Sequence, residues 1–117
     1  YNYSEADMTI EALWAVNFST PFDSGSGIVV FETGRIFGGD SFYYYLGDYA
    51  IHGSNVRGKV DVIHHSGPPL NIFGPIERLT LQYEGQMTGD TMQAIGVDPT
   101  DSQRRIEMRF RRLANLP

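Results

Sequence analysis

The chain contains no cysteine, which excludes disulfides, thiolate metal centres and a thiol nucleophile and fits a reducing compartment. No apolar run approaches the roughly 18 residues of a membrane span, and no signal pattern of charged, apolar and small-residue regions is present. Both absences point to a cytoplasmic protein. Helical periodicity is missing too: no window of about eleven residues or more repeats its apolar positions at helical spacing. Basic charge is scarce outside the last fourteen residues. Residues 1–53 carry seven acids against Arg35, whereas 104–117 carry five arginines against Glu107, and the whole chain has a net charge of −5. An acidic body argues against a nucleic-acid binder, whose footprint is a basic face.

What is present is alternation. In Ala12–Ser19, Ala12, Trp14, Val16 and Phe18 share one face, and in 56–65 Val56, Gly58, Val60 and Val62 stand opposite Arg57, Lys59 and Asp61. Leu79, Leu81 and Tyr83 alternate with polar residues, as do Ile106, Met108 and Phe110. Period two with one apolar and one polar face is the mark of strands that bury one side. Eight strands are expected, at about 11–19, 28–32, 35–37, 44–52, 56–65, 76–87, 91–97 and 104–113. Loops are expected at 20–27, at Gly53-Ser54-Asn55, at 66–75 and at 98–102, where proline and glycine accumulate. Gly38-Gly39 reads as a strand break, and Asp40-Ser41 as the cap of one short helical turn; 70–75 is a second candidate for such a turn.

At 117 residues the chain is one domain, large enough to bury one core. Residues 1–10 read as an N-terminal extension or tag remnant, with Met8 as the natural start, and 11–117 as a single β-barrel domain. The fold class is all-β. An eight-stranded antiparallel up-and-down barrel and a two-sheet sandwich both satisfy the patterning; hairpin-length connections favour the barrel. An eight-stranded barrel is either filled by its own side chains or holds one small ligand. Trp14, Phe18, Val60, Leu81, Met108 and Phe110 are the expected interior lining.

Chemistry is harder to find. His64-His65 resembles a metal pair, but adjacent strand residues point to opposite faces. His52 stands alone, and Gly25-Ser26-Gly27 lacks the lysine and following helix of a phosphate loop. Asp40 and Asp48 invite comparison with paired catalytic carboxylates, although turn and cap roles suit them better. No catalytic residue, metal site or cofactor is assigned. The tyrosine run at 43–45 suits a half-wet rim or an interface.

Several stretches together resemble the GrlR-type family of bacterial regulators. They are Ala12-Leu13-Trp14-Ala15-Val16, Gly27-Ile28-Val29-Val30-Phe31 with Gly34-Arg35, and above all Gly38-Gly39-Asp40-Ser41-Phe42-Tyr43-Tyr44-Tyr45-Leu46-Gly47. Phe73-Gly74-Pro75 and Arg111-Arg112-Leu113-Ala114 extend the match over residues 11–117. The resemblance implies a lipocalin-like barrel with a small helix, homodimerisation and no enzymatic activity. In that family an acidic loop after the fourth strand captures a transcriptional activator; here the loop is Ile51-His52-Gly53-Ser54-Asn55, without an acid. The expectation is therefore a non-enzymatic regulatory or binding protein, partnered by itself and by a regulatory protein, with no membrane or nucleic-acid partner. Gly38, Gly39, Asp40, Ser41, Tyr43, Tyr44 and Tyr45 form its signature and expected interface. A carrier of a small apolar ligand in the barrel interior is the alternative.

Overall fold

The structure, a computed structural model, describes residues 10–69 and 73–117. Its strands are β1 (Ala12–Ser19), β2 (Ser24–Glu32), β3 (Arg35–Gly39), β4 (Tyr43–Asp48), β5 (Ala50–His52), β6 (Asn55–His64), β7 (Arg78–Thr88), β8 (Thr91–Asp98) and β9 (Asp101–Asn115). Neighbours along the ring pair antiparallel, β9 returns to β1, and β4 pairs with β6. The ring therefore closes on eight staves, with β4 and β5 successive parts of one stave. Closure removes the sandwich alternative and leaves no long unpaired edge. Helix is essentially absent among the described residues.

The alternating residues account for the core. Ala12, Trp14, Val16, Val56, Leu79, Leu81, Tyr83, Ile106, Met108 and Phe110 are all buried, while the Gln82, Glu84 and Gln86 side of β7 is exposed. Ile10 is fully buried as well, and its carbonyl accepts the Trp14 indole N–H at 2.9 Å. Ile10, which the pattern places in the extension, is therefore part of the packed interior; the rest of the expected extension lies outside the described residues.

Several expected punctuation points are not breaks. Gly25-Ser26-Gly27 continues β2, held by Phe18↔Gly25, Asn17↔Ser26 and Val16↔Gly27 pairing with β1. Gly38 and Gly39 are paired within β3 on both sides, with Val29 and Ile28 on β2 and Tyr45 and Tyr44 on β4. A Cβ at Gly38 would lie 2.7 Å from Val29 Cα, so this glycine lets the strand curve where backbones converge. Ser41 and Phe42 form a two-residue hairpin turn, closed by the Asp40 N–H on the Tyr43 carbonyl at 2.9 Å, with no helical turn. The second candidate turn, 70–75, falls partly outside the described residues. The expected fourth strand is interrupted at Tyr49, whose N–H donates to Gly34 O at 3.0 Å. The expected loop at 98–102 is a tight turn through Pro99 and Thr100, since Asp98 already faces Asp101 across the ladder.

The two ends of the barrel differ. At the end carrying the 32–35, 52–55 and 88–91 turns, Ile10, Ala12, Trp14, Phe31, Val56 and Met92 fill the interior to essentially zero exposure. Phe31 is the hub: its ring centroid lies 6.2 Å from Trp14, 5.8 Å from Phe110 and 5.3 Å from Tyr49. Edge-on aromatic packing of this kind adds about 0.5–1.5 kcal/mol per pair beyond area burial. The other end carries the 20–23, 40–42, 65–77 and 99–100 connections, and it is open.

Candidate functional site

The open half of the barrel encloses an apolar cavity of about 390 Å³, within the roughly 300–1,000 Å³ common for small-molecule sites. Its walls are Val16 and Phe18 from β1, Val29 and Phe31 from β2, Ile36 from β3, Tyr43 and Tyr45 from β4, Val60 and Val62 from β6, Leu79, Leu81 and Tyr83 from β7, and Ile106, Met108 and Phe110 from β9. The mouth is formed by Asp23, Ser24 and Ser26, by Asp40, Ser41 and Phe42, and by Phe73.

Of the residues expected to line the interior, Phe18, Val60, Leu81, Met108 and Phe110 stand in the cavity wall. Trp14 does not. It is spent on the packed end, wedged against Phe31 and tied to Ile10. Sequence reasoning missed Val16, Tyr83, Asp23 and Phe73. The first two were legible as inward members of strands already recognised; the others sit in loops without periodicity.

Inward positions in the mouth half of the cavity are glycines, against which aromatic rings lie. A Cβ at Gly27 would lie 2.9 Å from Cε2 of Tyr45, and one at Gly25 would run into the Phe18 ring. The phenol of Tyr45 occupies the space that a side chain at residue 27 would need. Its hydroxyl donates to Asp40 Oδ2, while Asp40 Oδ1 accepts the Phe42 and Tyr43 N–H groups at 2.9 and 2.8 Å. Asp40 thus holds the hairpin turn, as a residue with a short acceptor side chain does, and anchors a cavity-wall phenol at the same time. The Tyr43 hydroxyl donates to Ile76 O and the Tyr83 hydroxyl to Asp48 O at 3.0 Å. Burial pushes all three phenols above the ordinary tyrosine value; the carboxylate of Asp40 adds to the shift at Tyr43 and Tyr45, and that of Asp48 at Tyr83. The phenols are therefore neutral donors at physiological pH.

The connection between β6 and β7 is fastened beside the mouth. His65 N–H donates to Phe42 O at 2.8 Å, and His64 N–H to Glu77 O at 2.8 Å. The ring nitrogens are used locally: His64 Nε2 lies 2.6 Å from Gly67 O and His65 Nε2 lies 3.2 Å from Asp40 O. His52 is at the opposite end of the barrel, the last residue of β5, paired with Asn55 of β6. Asp40 and Asp48 are separated by the length of β4, and Asp48 Oδ1 accepts the Lys59 N–H at 3.0 Å. Among the described residues no three His, Asp or Glu side chains converge as a metal site would require.

The expected signature interface is divided by the barrel wall. Tyr43 and Tyr45 point inward and are buried, so neither is available to a partner, and Gly38 is enclosed by its ladder neighbours. Only Tyr44 of the three tyrosines faces out. It belongs to an apolar outer surface that the run alone did not reveal. Register places Leu13, Val30, Phe37 and Leu46 in one row across β1–β4, and Ala15, Ile28, Gly39, Tyr44 and Ile63 in the adjacent row. Leu46 is 49% exposed, Ile28 43% and Tyr44 38%. The outer face of β7–β9 is the reverse: Glu84, Gln86, Gln93, Glu107, Arg109 and Arg111 are exposed there.

No protein-family model and no curated protein matches the chain. No helix among the described residues is long and apolar enough to cross a membrane.

Proposed function

We propose that this chain is a non-enzymatic regulatory or binding protein of the GrlR-like type that works through protein–protein contact as a homodimer. The observation that carries this reading is the pair of adjacent apolar rows on the outside of β1–β4, bordered at one end by Glu32, Arg35 and Asp48. Soluble monomers rarely leave a contiguous apolar surface of more than a few hundred Å² to water. A second copy suits it because an isologous contact needs one self-complementary patch, and two chains of net charge −5 meet with least repulsion over apolar side chains. Sedimentation of the wild-type chain is expected to give a dimer at micromolar concentration, and Leu46→Glu a monomer. A wild-type monomer over that whole range contradicts the reading.

The cavity favours a second reading, compatible with the first: binding of one small apolar ligand inside the barrel. Pockets with mostly apolar walls and a few polar groups at one end are the common form of small-molecule site. Native mass spectrometry of freshly purified protein is expected to retain a bound small molecule, or to record one-to-one uptake of octanol. A barrel that takes up neither speaks against this reading.

A further inference from the structure

The charged groups around the cavity share one sign, and this discriminates among apolar ligands. Among the described residues no lysine, arginine or histidine is in the cavity wall or mouth, whereas Asp23 and Asp40 both are. The phenols of Tyr43 and Tyr45 have committed their protons to Ile76 O and Asp40 Oδ2, so towards a ligand they offer lone pairs. The mouth serines can donate or accept, so what sets the mouth apart is the negative charge of Asp23 and Asp40. A carboxylate would enter it unpaired and desolvated, which is costly for a buried charge.

Asp40 is the group best placed to receive a cation. An ionised carboxylate has about four acceptor positions; the Phe42 and Tyr43 amides and the Tyr45 hydroxyl use three. Its shape is fixed by those bonds, so a fourth donor meets a carboxylate already held in place, without ordering a mobile side chain. Asp23 adds negative charge across the mouth, with its Oδ1 accepting the Ser24 N–H at 2.8 Å. We infer that the barrel selects apolar molecules bearing a protonated amine, with the chain in the cavity and the ammonium on the Asp40 carboxylate at the mouth. The inference rests on the ligand-binding reading above and narrows it to amphiphilic amines.

Octylamine, octanol and octanoate test it at equal chain length, by calorimetric titration of the full chain at neutral pH and low salt. Octylamine is expected to bind at least about tenfold more tightly than octanoate, as a charge-assisted contact against an unpaired charge requires, with octanol between them. Asp40→Asn keeps an acceptor for the hairpin turn and is expected to bring octylamine down to the affinity of octanol. Should that variant not fold, the wild type suffices: rising salt is expected to weaken octylamine and leave octanol unchanged. Octanoate binding as tightly as octylamine, with octanol also bound, overturns the amine preference and leaves the ligand cavity standing. Failure of all three probes to bind overturns the cavity reading itself. An octylamine affinity indifferent both to salt and to Asp40→Asn removes Asp40 from the account.

Discussion

The packed and hollow halves of this barrel are built on the same eight staves, with the same inward–outward alternation, yet they end differently. At the packed end inward positions carry Trp14, Phe31, Met87 and Met92, with Ile10 bonded to Trp14 and Tyr49 against Phe31. At the hollow end the inward positions include Gly25, Gly27 and Gly38, and Tyr43 and Tyr45 are pinned to the wall by hydrogen bonds from their phenols. The difference teaches that one fold can divide its interior between stability and binding. The volume inside a closed ring is decided by a few residues per stave, not by the ring. Aromatic mass supplies the core at one end. At the other end, glycines let the Phe18 ring and the anchored Tyr45 phenol lie against the wall.

The largest effect expected from this division concerns truncation. Trp14→Ala, which removes a fully buried side chain of the packed end that takes no part in the cavity wall, should cost about 3–5 kcal/mol in denaturant unfolding. Val62→Ala, on the cavity wall and only half-buried, should cost about 1 kcal/mol or less. Equal losses would erase the distinction between the halves. Enlargement should sharpen it in the opposite direction. Ala12→Leu forces extra volume into a filled site and should cost about 1–3 kcal/mol. Val62→Leu has room and should leave the unfolding midpoint within about 0.5 kcal/mol of wild type while reducing octanol uptake.

Alkali probes the anchored phenols. Tyr43, Tyr45 and Tyr83 have folded values raised above the ordinary value near 10. Their contribution to stability is fully present below about pH 10 and is lost as pH climbs from there towards the folded values. Ultraviolet titration should show these three ionising only with cooperative unfolding, and Tyr45→Phe should remove one phenol from that late step. The smallest effect lies outside the comparison, at the turn between β8 and β9. The Thr100 hydroxyl and N–H groups, at 2.7 and 2.8 Å, hold the Asp98 carboxyl below its usual range, with Arg104 assisting at 3.3 Å. That contribution is present above the ordinary carboxylate value near 3.9 and disappears as pH falls through the lower folded value. Asp98→Asn should flatten the acid limb of the stability profile, measured by unfolding midpoints between about pH 2 and pH 5.

Much of this was legible in the sequence, for a specific reason. Period-two alternation states which side chains share a face, so Ala12, Trp14 and Val16 on β1, or Ile106, Met108 and Phe110 on β9, could be assigned inward before any pairing was known. Where that signal fades, so did the reading. Ser24–Gly27 has no apolar face of its own and is a strand because β1 pairs with it. Tyr43-Tyr44-Tyr45 is aromatic throughout, so nothing in the run shows that the first and third turn inward. Trp14 and Phe18 looked equivalent, two inward aromatics on one strand, yet they fall in opposite halves because depth along the barrel axis leaves no mark in a period. The role of Asp40 as a turn acceptor was legible from its type and its place after two glycines. Its reach to the Tyr45 hydroxyl was not, since that contact depends on the space left by Gly27.

The methionines provide the most direct test of the division. Met87 and Met92 are buried at the packed end and face each other across β7 and β8, whereas Met108 lies in the cavity wall. With their methyl groups labelled with carbon-13, the chain can be titrated with octanol and followed by nuclear magnetic resonance. The Met108 methyl is expected to shift and to show direct cross-peaks to the octyl chain, with Met87 and Met92 unmoved. Cross-peaks to Met87 or Met92, or none to Met108 when octanol is bound, would contradict the account of one filled half and one open half.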